Sequence, residues 1–341
     1  MRAIGYSVTG SPDVLSLVER PVAEPGPGEV RVRVARSGVN PTDWKSRAGS
    51  GDGGPAPFPV TVPGHDGAGT VDAVGHGVDA HRVGQRVWLW EAAFKRAEGT
   101  AQELTVVPAH QAVPLPDGAD FDLGASLGIP FLTAHRALTV NEGGPAELGP
   151  GTLQGRVVLI AGGAGAVGNA AIQLARWSDA TVVSTVSSPA KAQLARAAGA
   201  DHVVDYRTQD VAAVVRGIAP HGVDTIAEVA PGPNAALDVA VLARHGVVAV
   251  YADDGDGELV LPVRAVMRPN ARWQFVLVYT EPHEAKARGV AAVSAALVGG
   301  VLRVGRDAGL PLHHFPLTAT AAAHTAVQDA VVGKVLVDVD A

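Results

Sequence analysis

Few folds accommodate the stretch VVLIAGGAGAVGNAAIQLAR (157–176). Its first five apolar residues, too few for an ordinary helix, read as a strand buried on both faces. A knot of small residues follows, then an apolar pattern of helical period. Within the knot, Gly163-Ala164-Gly165-Ala166-Val167-Gly168 fits G-x-G-x-x-G, with the strand before and the helix after that a dinucleotide site demands. On this reading Gly163 makes the tight turn, Gly165 lets a pyrophosphate approach the backbone, and Gly168 lets helix and strand pack closely. The phosphates then sit on the helix N-terminus, where unpaired N–H groups and the helix dipole favour negative charge. An ordinary glycine-rich turn is the competing explanation, and the flanking elements weigh against it.

Charge at the end of the next strand selects the dinucleotide. A site for NAD places Asp or Glu about 20 residues on, to hold the ribose 2′-hydroxyl. Here ATVVSTVSSPAK (180–191) carries no acid, and none lies between Asp179, at the wrong end of the strand, and Asp201. Ser187 and Ser188 stand at the expected place, with Lys191 three residues after the second. Two hydroxyl donors and an ammonium suit a phosphate, at about 1.5–3 kcal/mol for each charge-assisted bond. Tyr206, ending the third strand, either covers the adenine or bonds the same phosphate. Ser187 and Ser188 equally suit the cap of a helix opened by Pro189, and the two roles are compatible. The expected cofactor is NADPH.

Two rhythms surround this core. EVRVRVARSGV (29–39) alternates apolar and charged residues as a half-buried strand does, and GAGTVDAVG (67–75) and QRVWLW (85–90) are further short strands. SRAGSGDGGPAPFP (46–59) reads as a loop. From about residue 122, the Val-rich runs VVLIA, ATVVST (180–185), HVVDY (202–206), VDTIAEV (223–229) and GVVAVYA (246–252) alternate with Ala-rich helical segments. That order implies a parallel sheet of βαβ units. A buried helix around VAAVSAALVGGVL (290–302) and a strand, KVLVDV (334–339), close the chain.

The 341 residues suffice for two domains, at roughly 100–200 residues each. A net charge of −7 with scattered basic residues argues against nucleic acid and anionic lipid as partners. The absence of cysteine removes disulfides, thiolate nucleophiles and Cys-based zinc sites. The longest apolar stretch falls short of the roughly 20 residues of a spanning helix, and MRAIGYSVTG lacks the layout of a signal peptide. A cytoplasmic protein is the default expectation.

In their order and spacing, SGVNPTDWKSRAG (37–49), VPGHDGAGTVDAVG (62–75), GQRVW (84–88), GASLGIPFLTAHRAL (124–138), the glycine loop, AGADHVVDY (198–206) and VGKVLVDV (332–339) carry a resemblance over nearly the full length. The chain resembles the medium-chain dehydrogenase/reductase superfamily, in its zinc-free quinone oxidoreductase (zeta-crystallin-like) branch. The resemblance implies an α/β protein: a GroES-like β-rich catalytic domain (1–121 and 281–341) plus a Rossmann doubly wound parallel-sheet domain (122–280), with the active site in the cleft between them. It also implies a homodimer joined edge to edge through the Rossmann sheets, here along RWQFVLVY (272–279), whose open edge needs covering. By the same resemblance Asn40 and Asp43 lie near the nicotinamide and its ribose, and Lys45 at the cleft edge. The cofactor would further touch Thr133, backbone from Ala164 through Gly165 and Ala166 to Val167, Gly232, Val250, Tyr251, Ala252, Leu277, Val278 and Tyr279.

Zinc-dependent relatives ligate their catalytic metal with a Cys, a His and another Cys or acid. Here Asn40 stands where the first Cys would be and Ile129 falls near the last. His65, in GHD, reads as a hydrogen-bonded structural residue; a zinc site from it, Asp66 and a third group is the weaker alternative. No metal is therefore expected. A quinone is already electrophilic, so hydride transfer needs mainly proximity and some stabilisation of developing oxyanion charge. Asn40, Lys45 and His135 are the catalytic candidates: Lys45 is either an electrostatic stabiliser or a solvated charge, and His135 either a proton donor or a packed core residue. Trp44, Phe58, Trp90, Phe94 and Phe131 could form a flat aromatic substrate pocket or simply belong to the core. GASLG (124–128) matches the nucleophile elbow G-x-S-x-G, but PLPDGADFDL precedes it where that motif requires a strand.

The leading expectation is an NADPH-dependent reductase of quinones or related electron-poor conjugated carbonyl compounds, a small-molecule partner in either case. A reductase of enone, alkenal or enoyl-thioester C=C bonds is the first alternative. A non-catalytic NADPH-binding sensor or crystallin-like structural protein is the second.

Overall fold

Alternation of apolar and charged residues carries the first part of the chain into antiparallel sheet. The computed structural model describes residues 1–51, 53–254 and 257–340; Asp52, inside the expected loop at 46–59, lies outside the described residues. Strands β1 (Arg2–Gly5) and β2 (Ser16–Glu19) pair with each other. In β3 (Glu29–Val39) Val30, Val32 and Val34 are buried, while Arg31 and Arg33 reach Asp72. Helix α1 (Pro41–Ala48) starts immediately, because Pro41 presets the first helical φ and Asp43 accepts the Asn40 N–H at 2.7 Å. Then come β4 (Asp66–Val74), β5 (Arg86–Leu89), β6 (Leu104–Pro108), β7 (Ala112–Pro114) and helix α2 (Phe121–Leu138).

From β8 (Val157–Ala161) the chain alternates strand and helix: α3 (Ala166–Trp177), β9 (Thr181–Val186), α4 (Pro189–Ala197), β10 (His202–Asp205), α5 (Val211–Ile218), β11 (Val223–Glu228), α6 (Pro231–Val241) and β12 (Leu242–Val250). Helix α7 (Val263–Met267), β13 (Arg272–Phe275) and α8 (His283–Val298) complete this part. The strands form a parallel six-stranded sheet in the order β10-β9-β8-β11-β12-β13. Strands covered on both faces must be apolar throughout, which is why Leu159, Val183, Val204, Ile226 and Val248 gather in one core. The apolar stretch at 290–302 supplies the buried face of α8 with Ala292, Val293, Ala296 and Leu297.

The last segment returns to the first sheet. Strand β14 (Leu312–Pro316), helix α9 (Thr320–Gln328) and β15 (Lys334–Asp338) extend it to β14-β15-β3-β4-β5-β7, with β6 also on β3. One core lies between β3, β4, β5 and β6, around Val32, Val71 and Val87; another gathers Ile4, Val34, Leu317 and Val337. Among the described residues no helix is long and apolar enough to cross a membrane.

The chain divides into two compact units, Met1–Ile129 with Leu312–Ala341, and Pro130–Pro311. This corrects the expected boundaries at 121/122 and 280/281. Ala125 of α2 packs with Ala68 and Leu336, and the Ile129 N–H bonds Asp66, so the helix's first half belongs to the antiparallel unit. Residues 281–311 belong to the parallel unit instead. Asn169 donates to the Ala308 carbonyl at 2.9 Å, and Gln173 exchanges hydrogen bonds with the Arg303 backbone at 2.9 and 3.0 Å.

Candidate functional site

In the parallel sheet the strand order reverses between β8 and β11, and open α/β sheets bind ligands outside the carboxyl ends of their strands at such a point. The loop after β8 makes its left-handed turn at Gly162, with φ +69°, and not at Gly163 as the motif implied. Gly163 is constrained by space: a Cβ there would stand 2.0 Å from Ser184 Oγ. One on Gly168 would meet the Gly162 carbonyl oxygen at 2.4 Å, so α3 packs directly on the turn. Gly165 caps α3 without a side-chain bond, and the first helical hydrogen bond runs from the Asn169 N–H to its carbonyl. The amides of Ala166, Val167 and Gly168 are therefore left to an external acceptor, beside the solvent-exposed Gly165.

At the end of β9 the register pairs Val186 with Asp205, and the Tyr206 N–H bonds the Val186 carbonyl at 3.1 Å. Tyr206, 54% exposed, thus stands beside the Ser187–Ser188 turn. Ser188 caps α4 by accepting the Lys191 N–H at 3.3 Å, with Pro189 following as expected. Ser187 and Lys191 occupy the same turn, both half-buried. Asp205, the nearest acid, turns its carboxylate back to the Arg207 N–H at 3.0 Å.

Across the switch point, Gly232 lies in the first turn of α6, and the Tyr251 N–H bonds the Glu228 carbonyl at 3.0 Å. Val250, Tyr251 and Ala252 therefore leave the sheet beside the end of β11. Leu277 is exposed, whereas Val278 and Tyr279 are buried in a single 3₁₀ turn, and Thr133 is buried on α2.

The antiparallel unit holds a buried polar cluster on α1, β4 and β15. Asn40 Nδ2 donates to Asp66 Oδ2 at 2.7 Å, and Asn40 Oδ1 accepts from Lys334 Nζ at 2.7 Å. Lys334 also lies 3.4 Å from Asp66 Oδ2, and Asp66 Oδ1 accepts the Ile129 N–H at 2.8 Å. Burial pushes the Lys334 ammonium down and the Asp66 carboxyl up, each opposing the other's shift by mutual attraction. Asp43 accepts the Asn40 and Gly64 N–H groups, yet burial raises it to about 6. His65, 3.9 Å from Asp43, is lowered to about 4, also by burial, and so is neutral near pH 7. The ammonium of Lys334 and the amide of Asn40 occupy Asp66, so His65 and Asp66 do not present a metal with converging free donors. Among the described residues no group of three or more His, Cys, Asp or Glu side chains could hold a metal ion.

The remaining sequence candidates fall as follows. His135 is buried, its Nε2 accepts the Leu148 N–H at 3.3 Å, and burial with the neighbouring Arg136 charge lowers it to about 4. It is therefore neutral near pH 7 and packed in the core. His135→Gln, which keeps an acceptor, is expected to lose about 1–2 kcal/mol of stability while kcat changes by less than about twofold. Steady-state kinetics with urea unfolding checks this, and an inactive but folded variant would restore His135 to the chemistry. Of the aromatic candidates, Phe131 is fully buried and Trp90 packs edge-on against His110, with centroids 5.8 Å apart. Trp44, Phe58 and Phe94 are only partly buried. As the sequence implied, Ser126 lies inside α2, its hydroxyl bonded to the Asp122 carbonyl at 2.7 Å, which is no nucleophile elbow. Lys45 lies on the exposed side of α1 with its Nζ 5.9 Å from the Trp44 ring centre.

Sequence reasoning missed Lys334, which reads only as the start of a strand. The available signal was a lysine opening an otherwise apolar run, which a buried strand tolerates only when paired.

The Alcohol dehydrogenase GroES-like domain model matches residues 26–117, and the Zinc-binding dehydrogenase model residues 166–295. The human "Synaptic vesicle membrane protein VAT-1 homolog" is 34% identical over 254 residues, 74% of this chain and 61% of that protein, so the chain spans about three fifths of its length. The "Quinone oxidoreductase" of Lama guanicoe is 31% identical over 329 residues, 95% of this chain and 92% of that one. A mycobacterial protein solved in complex with NADPH superposes with a TM-score of 0.80 at 28% identity, over 99% of both chains. The chain thus belongs to the medium-chain dehydrogenase/reductase superfamily of oxidoreductases, in its quinone oxidoreductase branch.

Proposed function

We propose that this protein is an NADPH-dependent reductase that delivers a hydride to quinones or related electron-poor conjugated carbonyl compounds, without zinc. The observation that carries the reading is the acid-free end of β9, where Ser187, Ser188, Lys191 and Tyr206 meet beside the glycine loop. Ala166, Val167 and Gly168 would hold the pyrophosphate through their amides, and Ser187 and Lys191 the 2′-phosphate. Gly232, Val250 to Ala252 and Leu277 to Tyr279 would flank the nicotinamide half, with Thr133. The reduced nicotinamide, when bound, supplies the hydride. Asn40 is clamped by Lys334 and Asp66, and Asp43 holds the turn that carries it. With His135 committed to packing, the proton that completes a hydroquinone comes from water.

The likeness to a quinone oxidoreductase over 92% of that protein supports the acceptor class. The Lys334 ammonium, already paired with Asp66, supports metal-free chemistry. Strand β13 ends its sheet with Phe275 61% exposed, which supports a homodimer through that edge. A cytoplasmic location and a small-molecule rather than nucleic-acid partner complete the proposal.

The test is NADPH oxidation against a benzoquinone, an alkenal and a crotonyl thioester. The reading expects the quinone to give the highest kcat/KM. Preference for either C=C substrate would move the activity to double-bond reduction, and tight NADPH binding without turnover on any of the three would indicate a sensor.

A further inference from the structure

Two buried acids, one at the carboxyl end of β11 and one on α6, have no reason in cofactor binding alone. Glu228 is 1% exposed and Asp238, on α6, is 0% exposed. Glu228 Oε1 accepts the Ala230 N–H at 2.5 Å and Asn234 Nδ2 at 2.9 Å, closing the turn from β11 into α6. The same turn is fastened to the segment after β12, through the Tyr251 N–H on the Glu228 carbonyl and the Asp254 N–H on the Val229 carbonyl. Among the described residues no N–H or O–H donor reaches either carboxyl oxygen of Asp238; what faces it is the Glu228 carboxyl. Two carboxylates cannot both stay ionised so close together away from water, whereas one proton between them converts repulsion into a hydrogen bond.

We propose that Glu228 and Asp238 share a single proton, and that this acid–carboxylate pair positions the cofactor strip Val229–Gly232, holding NADPH tightly only while the proton is kept. The proposal rests on the NADPH reading above.

Burial, then the charge of Glu228, lifts Asp238 to about 9, and burial raises Glu228 as well. Among the described residues other titratable groups are few. Tyr251 faces Glu228 with its phenol raised by burial, and Asp254 lies beyond it. On the elements packed against α6, Arg216, Arg244 and His245 are exposed and Asp224 is bonded to Arg156. An acid whose folded pKa exceeds its unfolded one binds more protons when folded, so its contribution to stability falls as pH rises from about 4 towards 9.

The test compares wild type with Asp238→Asn, whose amide donates to Glu228 at every pH. In urea unfolding without cofactor, the folding constant of D238N relative to wild type should rise at least about tenfold between pH 6 and 9. In NADPH titrations the wild-type Kd should rise at least about fivefold between pH 7 and 10, against less than about twofold in D238N. Effects of Lys191 and Tyr206 are common to both proteins and cancel. A stability difference independent of pH, or the same Kd profile in both proteins, overturns the proposal. Failure of wild type to bind NADPH at either pH overturns the cofactor reading and the coupling with it, while the unfolding series still decides the shared proton. Should D238N not fold, Glu228→Gln is expected to give the same flat profiles.

Discussion

Lys334→Met is expected to be less stable than wild type by about 3–5 kcal/mol at pH 8, because it leaves the Asp66 carboxylate buried without its cation. Methionine keeps most of the side chain's length, so the loss is chiefly one of charge and of the hydrogen bond to Asn40 Oδ1. The pH dependence gives the sign. Without the ammonium, Asp66 has a folded pKa still further above its unfolded value, so the folded variant binds more protons and loses stability as pH rises. The deficit relative to wild type should therefore be small near pH 4 and full by pH 8. Adding Asp66→Asn should recover part of it. Urea unfolding at both pH values measures this, and a deficit below about 1 kcal/mol at pH 8, or one unchanged by pH, would show that the pair is not a buried ionic contact.

The second large effect lies at the opposite end of the cofactor. The double variant Ser187→Ala/Lys191→Ala should weaken NADPH binding about 100-fold, equivalent to two charge-assisted bonds of roughly 1.5 kcal/mol each. NADH, which lacks the phosphate, should shift by less than about twofold. Neither side chain is buried in a core, so the variant should unfold near the wild-type urea midpoint. Equal losses for both nucleotides would show that these side chains do not hold the 2′-phosphate.

Much of this architecture was legible because local chemistry dictates it. EVRVRVARSGV becomes β3 over Glu29–Val39, since its alternation leaves one face for the core. The Val-rich runs become the parallel sheet because strands covered on both sides have no place for polar residues. The domain boundary was less legible, since α2 runs unbroken through Pro130 while its two halves pack in different units. The turn residue was displaced by one position because any of the clustered glycines satisfies the motif, and only the backbone distinguishes Gly162. His135 looked available because helical periodicity does not reveal that α8 closes over it, with Gly289 against its ring. The Lys334–Asp66 contact joins residues 268 positions apart, and no local pattern encodes such a pairing. Asp238 escaped notice for the same reason: an acid on an Ala-rich helix reads as solvated until its neighbour is known.

The most direct test is a titration of the wild-type chain with NADPH and with NADH at pH 7, following nicotinamide fluorescence. A pocket built for a ribose phosphate should favour the phosphorylated nucleotide by about 100-fold. Equal affinity, or tighter NADH, would contradict it.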